Sequence, residues 1–380
     1  MTSFDDQALA QDLGQLFIIG FPGATDKAPE GVRQVLRDGH VGGAILFRRN
    51  IDSIDQLRAL TLDLHQSASS APLPPFVAVD QEGGRVVRIQ EPLTPLPTMR
   101  SLGQARDLRD VARVSEMLAT EIAALGFNLN FAPVLDVDSN PDNPVIGDRA
   151  FSSDPEKVAR CGAGFLIGHH TAGVVPCGKH FPGHGDTLVD SHKGLPRLMH
   201  DIARLESIEL YPFERAVAAG IPMLMTAHIE LPLLDAFHPA TLSPAILQDL
   251  LRDKLRFEGV IITDCLEMKA VADHYSIEEM VDLGLKAGVD IFLICHTEEK
   301  WRRAFAHLYE QALHDIGIRT RIQESAARVR KVKEDLLRHW PRPWQPHPSM
   351  TALIGSDEHR NLVAPYLDSA TIADDPTEQA

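Results

Sequence analysis

Short, continuously apolar runs alternate with longer stretches of helical periodicity along most of the chain. The runs are Leu16–Ile19, Gly43–Phe47, Phe76–Val79, Leu129–Val134, Gly173–Cys177, Met223–Thr226, Val260–Ile262 and Asp290–Ile294. Each is mostly apolar, as expected for a parallel strand that is buried on both faces. The pattern therefore predicts strands that alternate with helices.

The helical stretches carry apolar residues at the spacing of one helix face. One face consists of Val111, Val114, Leu118, Ile122 and Leu125, followed by Gly126 as a stop signal. Another consists of Trp301, Ala304, Phe305, Leu308 and Ala312. Ser243–Pro244 predicts a helix start, because a cap residue precedes a proline.

Alternating strands and helices place the chain in the α/β class. We predict a (β/α)8 TIM-type barrel, with a doubly wound open sheet as the alternative. The runs number eight and the chain has 380 residues, and both figures favour the barrel.

The composition changes near Trp340, where the segment 340–348 is rich in proline. We predict a single catalytic barrel over residues 1–340 and a proline-rich, acidic C-terminal extension over 341–380. The proline-rich segment is expected to lie extended over the surface. We predict one short helix within residues 356–368 and disorder in the last dozen residues.

Composition narrows the class of partner. Hydrophobic residues make up 44% of the chain, which is enough for a packed core. The formal net charge is −16 and the sequence has no basic stripe, so we predict no nucleic-acid partner. The N-terminus lacks a signal-peptide pattern and no apolar run reaches membrane-spanning length. The four cysteines are widely spaced, which predicts buried thiols. We predict a cytoplasmic protein without a membrane partner, although a chain that had lost its leader would look the same.

Polar residues follow several predicted strands. Asp80, Lys179, His180, His228 and Asp264 fall at such ends, as do Asp136 and Asp138. In a barrel these positions share the C-terminal rim. With Arg88 and Arg149 they offer hydrogen-bond donors and acceptors for a ligand rich in hydroxyl groups, and sugars are the obvious candidates. The segment Glu82-Gly83-Gly84-Arg85 is a possible phosphate-binding loop, but its two glycines alone are weak evidence.

The segment 179–192 crowds three histidines, two aspartates and a lysine together. A zinc site is the main alternative to a sugar-binding site. Its possible ligands are His169, His170, His180, His184, His192 and His228. His180 and His184 have helical spacing, but Pro182, Gly183 and Gly185 oppose a helix there. We therefore predict no metal and no cofactor.

At this point a resemblance is clear. Residues 179–187 (KHFPGHGDT), followed by Asp190-Ser191-His192, resemble the signature of glycoside hydrolase family 3 β-N-acetylglucosaminidases. Further segments resemble that family in its order: 79–86 (VDQEGGRV), 130–136 (NFAPVLD), 146–151 (IGDRAF), 239–243 (PATLS) and 263–268 (TDCLEM). The resemblance spans roughly residues 13–335.

The resemblance implies a retaining hydrolase. Asp264 matches the nucleophile that forms a covalent glycosyl-enzyme, His192 the general acid/base, and Asp190 the partner that orients His192. The residues matching those that hold the terminal sugar are Asp80, Arg88, Arg149, Lys179 and His180, with His228 as a further rim residue. Physically, an imidazole near neutral pH can both give and take a proton, and a neighbouring carboxylate stabilises its charged form.

The predicted function is that of an exo-β-N-acetylglucosaminidase in cell-wall (peptidoglycan) recycling, whose partner is a small carbohydrate with a terminal N-acetylglucosamine. A phosphorylase and a β-glucosidase on the same scaffold are alternatives, and a non-catalytic sugar-binding barrel is a third. We expect His184 to support its loop, His169 and His170 to be structural, and Glu267 to lie at a helix start. Asp136 and Asp138 are either sugar contacts or loop braces.

Overall fold

A closed ring of parallel strands forms the centre of the protein in this computed structural model. The structure describes residues 4–71, 73–188, 190–191, 194–341, 344–345, 347–367 and 375–377, without the side chains of residues 4–6. Within those ranges the ring has eight strands. They are β1 (Phe17–Ile19), β2 (Gly43–Ile45), β3 (Phe76–Val79), β6 (Leu129–Asn130), β7 (Val175–Phe181), β8 (Met223–Thr226), β9 (Val260–Thr263) and β10 (Phe292–Ile294). A small hairpin of β4 (Gln81–Gly83) and β5 (Val86–Val87) follows β3.

Strand order decides between the two predicted architectures. The strands follow one another around the sheet in the order β10-β1-β2-β3-β6-β7-β8-β9. A parallel bridge between Ile262 and Ile291 joins the two ends, and the Leu266 amide donates to the Leu293 carbonyl at 2.9 Å. The barrel prediction is confirmed, and the open-sheet alternative is wrong because both sheet edges meet.

Helices surround the ring. They are α1 (Phe4–Gly14), α2 (Glu30–Asp38), α3 (Ile54–Ser67), α4 (Met99–Leu102), α5 (Leu108–Ala124), α6 (Pro155–Ala172), α7 (Ile202–Ser207), α8 (Tyr211–Ala218), α9 (Lys269–Ala272), α10 (Ile277–Ala287), α11 (Glu298–His314), α12 (Ile316–Leu337), α13 (Pro348–Thr351) and α14 (Asp357–Val363). Within the described ranges, none of the helices is both long and apolar enough to cross a bilayer.

Helix ends follow the sequence signals with one difference. The Asp107 side chain caps α5, and Gly126 follows its end with φ of +93°. The helix predicted after Ser243–Pro244 begins at Ala245 and is a π-helix, Ala245–Lys254. Ser243 Oγ accepts the Ile246 amide at 3.2 Å, as a cap residue does. Apolar spacing does not distinguish a π-helix from an α-helix, so the sequence did not indicate it.

Each strand is buried on both faces, which explains its continuous apolar run. Ile18 points into the barrel with Ile45, whereas Phe17 and Ile19 join the layer between strands and helices. At the amino ends of the strands, the buried Lys333 of α12 donates to the Gly42 carbonyl at 2.8 Å. That end lies opposite the rim where β3 to β9 terminate.

The C-terminal segment packs on the barrel helices. Trp344 is buried and lies 5.7 Å from the His65 ring between centroids. His359 Nδ1 contacts Glu121 at 2.7 Å, and Tyr366 donates to Asp110 at 2.8 Å. The prediction of an extended surface segment is wrong at Trp344, because an indole ring in a hydrophobic cleft removes more apolar area from water than a surface path would.

Two other predictions for this region have separate outcomes. The predicted short helix is present as α14, followed by a 3₁₀ turn at Ala364–Tyr366. Of the last dozen residues, 375–377 are described, and the other nine lie outside the described residues. The division at residue 340 stays a prediction.

Candidate active site

The carboxyl ends of the strands surround one cavity, whose empty space together with its open mouth is about 580 Å³. Predicted residues from several elements line it together: Asp80, Arg88, Arg149, Lys179, His180 and Asp264. They come from the strand ends of β3, β7 and β9, from the β5 hairpin and from a 3₁₀ turn at Gly147–Arg149. Residues that are far apart in sequence thus share one rim, as the barrel predicts.

An ion-pair network forms one wall of the cavity. Arg149 grips Glu82 with two hydrogen bonds of 2.8 Å, from Nε and Nη2. Lys179 Nζ lies 2.6 Å from Glu82 Oε1 and 2.7 Å from Asp80 Oδ1. The side chains of Arg149, Glu82 and Lys179 are almost fully buried. A buried network this well satisfied fixes the positions of its members.

The network controls protonation. Burial opposes ionisation of Glu82, but the charges of Arg149 and Lys179 hold the pKa of that carboxyl far below its usual range. Burial likewise opposes the charge of Lys179, yet Asp80 and Glu82 keep its pKa above the ordinary value. The wall therefore presents fixed charges at neutral pH, which suits recognition of a polar ligand.

Arg88 is contacted by the C-terminal tail. Its Nη2 donates to Thr377 Oγ1 at 2.7 Å, and its Nη1 donates to Asp375. Asp80 lies 3.7 Å from the same guanidinium. The Asp375 side chain is only 3% exposed, and Thr377 lines the cavity. The expectation of disorder is wrong for residues 375–377, because the buried guanidinium of Arg88 holds this segment by charge-assisted hydrogen bonds.

Asp136 braces the turn after β7. Its Oδ1 accepts the backbone amides of His180 at 3.1 Å and His184 at 2.7 Å, and its Oδ2 lies 2.6 Å from His180 Nδ1. Burial opposes ionisation of Asp136, but His180 holds its pKa below the usual value. Asp138 pairs with Arg100. Both aspartates thus act as braces for the loops at the rim.

His184 links that turn to the next predicted site residues. Its Nδ1 bonds Thr187 Oγ1 at 2.7 Å, and its Nε2 lies 3.2 Å from Ser191 Oγ. Burial lowers its pKa to about 4, so the ring is neutral. The structure has His184 supporting the loop, as expected. Asp190 is buried beside Ser191, whereas His192 lies outside the described residues.

Asp264 directly follows β9 and lines the cavity. Its Oδ1 accepts the Cys265 amide at 2.7 Å. His228 is buried, and its Nε2 donates to the Cys265 carbonyl at 3.0 Å. His228 is not among the described residues that line the cavity. It holds the backbone beside Asp264, which differs from the direct rim position that the resemblance implies.

Two other residues have structural contacts. His169 is fully buried between Ser115 and Asn130. Glu267 accepts the backbone amides of His296 and Thr297 at 2.6 and 3.3 Å. It therefore stabilises the start of α11, a helix remote in sequence from its own position.

Sequence reasoning missed the centre of the ion-pair network and several cavity residues. Glu82 lies three residues beyond the end of β3, and an acid near a strand end is the same signal that marked Asp80. Phe47, Cys265, Cys295 and His296 line the cavity. Each directly or nearly follows a strand, but apolar and thiol side chains there resemble core residues.

The Cys265 and Cys295 thiols interact at this rim. Burial by itself raises the pKa of Cys265, but hydrogen bonds from Cys295 and His296 lower it. Burial and the same contact raise the pKa of Cys295 well above its ordinary value. All four cysteines are free and buried.

The family model described as the glycosyl hydrolase family 3 N-terminal domain matches residues 8–332. This chain belongs to glycosyl hydrolase family 3. The family consists of glycoside-cleaving enzymes, and the resemblance seen in the sequence is confirmed.

Individual family 3 relatives agree over most of the chain. A β-hexosaminidase of Thiobacillus denitrificans is 43% identical over 70% of this chain and 75% of its own length. The structure of NagZ from Neisseria gonorrhoeae has a TM-score of 0.76 at 32% identity, covering 93% of this chain and 96% of that one. A family 3 β-N-acetylglucosaminidase from Paenibacillus has a TM-score of 0.83 at 36% identity, over 93% of this chain and 67% of that one.

Some relatives are considerably longer. β-Hexosaminidase A of Pseudoalteromonas piscicida is 36% identical over 88% of this chain, but this chain spans only 60% of that protein. The activities of these longer proteins are therefore assigned to this chain only as a proposal.

Proposed function

We propose that this protein is a retaining exo-β-N-acetylglucosaminidase. The observation that supports it most is the rigid wall of Asp80, Glu82, Arg149 and Lys179 next to Asp264, all at one barrel rim. Such a wall supplies paired donors and acceptors for the hydroxyl groups of one terminal sugar. The β-hexosaminidase relatives support the amino-sugar class.

In the first step, a terminal N-acetylglucosamine lies against this wall with its anomeric carbon facing Asp264. The Asp264 carboxylate attacks that carbon and forms a glycosyl-aspartate ester. The bond from the anomeric carbon to the leaving oxygen breaks, and His192 donates its proton to that oxygen. Asp190 orients the imidazole and stabilises its charged form.

In the second step, water replaces the departed alcohol. His192, now neutral, takes a proton from this water while the oxygen attacks the anomeric carbon. The ester to Asp264 breaks, and the sugar leaves with its original configuration after two inversions. In the sequence, the turn braced by Asp136 and His184 connects Lys179 of the wall to Asp190 and His192.

Catalysis needs no metal in this proposal. Two of the histidines that line the cavity are engaged, since His180 bonds Asp136 and both ring nitrogens of His184 have partners in Thr187 and Ser191. Replacing these contacts by a metal would dismantle the brace of the loop.

We also propose a cytoplasmic enzyme that takes small carbohydrates from cell-wall recycling. Free, buried cysteines suit a reducing compartment. The acidic net charge of −16 favours neither nucleic acid nor anionic membrane surfaces.

A rate comparison tests the activity. Purified protein is assayed on nitrophenyl β-N-acetylglucosaminide and nitrophenyl β-glucoside, each with and without phosphate. We expect fast turnover of the first substrate, little of the second, and free N-acetylglucosamine as the product in both buffers. A sugar phosphate as the main product would identify a phosphorylase, and faster glucoside cleavage would identify a β-glucosidase.

A further inference from the structure

Three metal-binding side chains meet at the rim without any role in the mechanism above. They are Cys265 after β9, and Cys295 and His296 after β10. Their sulfur and ring-nitrogen atoms all lie within 4.8 Å of one another. All three residues also line the cavity that contains Asp264.

Two thiols and one imidazole are a donor set that zinc prefers. In a tetrahedral zinc site with bonds of about 2.3 Å, sulfur atoms lie about 3.8 Å apart. The ligand atoms of this cluster lie within 4.8 Å of one another, at most about 1 Å further apart than such sulfur atoms, so side-chain rotations would bring them to one centre. Three protein ligands leave a fourth position open to the cavity.

Backbone contacts hold the cluster in place. The Cys265 carbonyl accepts from His228, and the Cys295 carbonyl accepts from Arg49. Glu267 accepts the His296 amide at 2.6 Å, and the His296 ring stacks on Phe47 with centroids 5.8 Å apart. Because neighbouring strands and these contacts fix the three ligands, binding needs little ordering of the chain.

The charges around the cluster are mixed. Arg49 donates to the Cys295 carbonyl, so its positive charge lies beside the cluster. Glu267 and Asp264 lie on the same side of the barrel and supply negative charge near an incoming cation. On binding, the two thiols would release their protons, and the two resulting thiolates would neutralise a divalent ion.

Another cluster among the described residues serves as a comparison. Asp186, His200 and Glu209 also lie within 4.8 Å of one another. There, however, the Arg204 guanidinium already contacts Glu209 at 2.9 Å and Asp186 at 3.5 Å. A cation at that cluster would have to displace an existing positive charge, so it is the weaker candidate.

We propose that Cys265, Cys295 and His296 bind one thiophilic divalent cation, such as Zn²⁺ or Cd²⁺, and that this ion inhibits the enzyme. The ion would sit one residue from Asp264 and attract its carboxylate away from the sugar. Binding itself does not depend on the proposed hydrolase activity, whereas the inhibition does. Magnesium, which prefers oxygen ligands, is expected to have no effect.

Metal binding is measured first, without reference to activity. Chelator-treated protein in a phosphine reductant is titrated with Cd²⁺, and the ultraviolet charge-transfer band of the cadmium–thiolate bond is followed. We expect a band that saturates at one ion per chain. In Cys265→Ser/Cys295→Ser the band should be lost. Cys161→Ser, which removes a buried thiol of α6, should retain it.

Inhibition is measured next with Zn²⁺. We expect chelator-treated enzyme to be active, micromolar-range zinc to suppress turnover, and excess chelator to restore it. The concentration giving half inhibition should rise at least about tenfold in Cys295→Ser, because even the loss of an outer contact to a metal ligand costs that much. Each variant is compared with its own metal-free rate. His200→Asn, in the comparison cluster, should respond like the unaltered protein.

The outcomes separate cleanly. Absence of the band in the unaltered protein, or its persistence in the double variant, would overturn the site. Zinc inhibition that is unchanged in Cys295→Ser would assign the ion to other ligands, such as Asp190 and His192. A band without inhibition would overturn the inhibitory role. If the double variant does not fold, His296→Asn should keep the band but bind cadmium at least about tenfold more weakly; unaltered affinity would again contradict the site.

Discussion

At the residue scale, Asp264 has the clearest assignment to test. We expect Asp264→Ala to lower kcat by on the order of 10⁴-fold or more, because it removes a covalent nucleophile. The fold should persist, since the side chain faces the cavity. The measurement is kcat on the nitrophenyl amino sugar, with circular dichroism to verify folding. A variant that retained a tenth of the activity, free of host enzyme, would exclude this role.

A second residue-scale prediction concerns Asp190 and His192. If His192 protonates the leaving oxygen, His192→Ala should harm substrates with poor leaving groups most. Asp190→Ala should show the same pattern more mildly, because Asp190 only orients and charges the ring. The test is kcat/KM for aryl β-N-acetylglucosaminides of graded leaving-group pKa. A slope no steeper than that of the unaltered enzyme would mean that His192 is not the acid.

At the element scale, the turn after β7 depends on close backbone packing. A Cβ on Gly185 would lie 1.6 Å from the Val137 carbonyl oxygen, whereas a Cβ on Gly173 would meet nothing within 4 Å. We expect Gly185→Ala to displace the turn and lower kcat/KM by about 10- to 100-fold, since misplacement by about 1 Å costs this much.

Gly173→Ala is the matched control for this turn. Gly173 ends α6 with φ of +72°, so alanine there should cost about 1–2 kcal/mol of stability and leave kcat/KM unchanged. Both variants are compared by thermal unfolding and by steady-state kinetics. An unaltered kcat/KM in Gly185→Ala would show that the turn does not position the dyad.

At the scale of the whole molecule, stability should depend on pH through Lys333. Burial, with a smaller effect of Arg330, lowers the pKa of Lys333 to about 7. The unfolded chain binds this proton up to the ordinary lysine value near 10.4. Between these two pH values the unfolded state binds more protons, so the free energy of unfolding rises with pH.

Replacing Lys333 isolates this effect. Between pH 7 and 9 the unaltered protein should gain about 2 kcal/mol more than Lys333→Met, since one pKa unit corresponds to about 1.4 kcal/mol. Urea unfolding at pH 7, 8 and 9 measures the difference. Lys331→Met removes an exposed lysine of the same helix and should follow the unaltered protein. Parallel pH profiles for the unaltered protein and Lys333→Met would contradict the assignment.

The tail contact gives another prediction for the whole molecule. Asp375 and Thr377 occupy donors of Arg88 that the proposed function assigns to the sugar. We expect Asp375→Ala to lower KM for the nitrophenyl amino sugar with little change in kcat, because the tail no longer competes for the guanidinium. Thr377→Val should act in the same direction but more weakly. A raised KM in Asp375→Ala would mean that the carboxylate assists sugar binding.

The sequence by itself determined the barrel and much of the candidate site. Buried parallel strands must be apolar on both faces, so their number and order could be read from continuous runs, and Asp80, Lys179 and Asp264 could be placed at strand ends. Tertiary structure decided which neighbours these residues meet. Glu82 became the centre of the ion-pair network, His228 a support for the backbone, and Cys265 a neighbour of Cys295. These contacts join residues remote in sequence, and periodicity within one element carries no information about its partner across the barrel. For the same reason, the sequence did not predict the burial of Trp344 or the contact between Asp375 and Arg88.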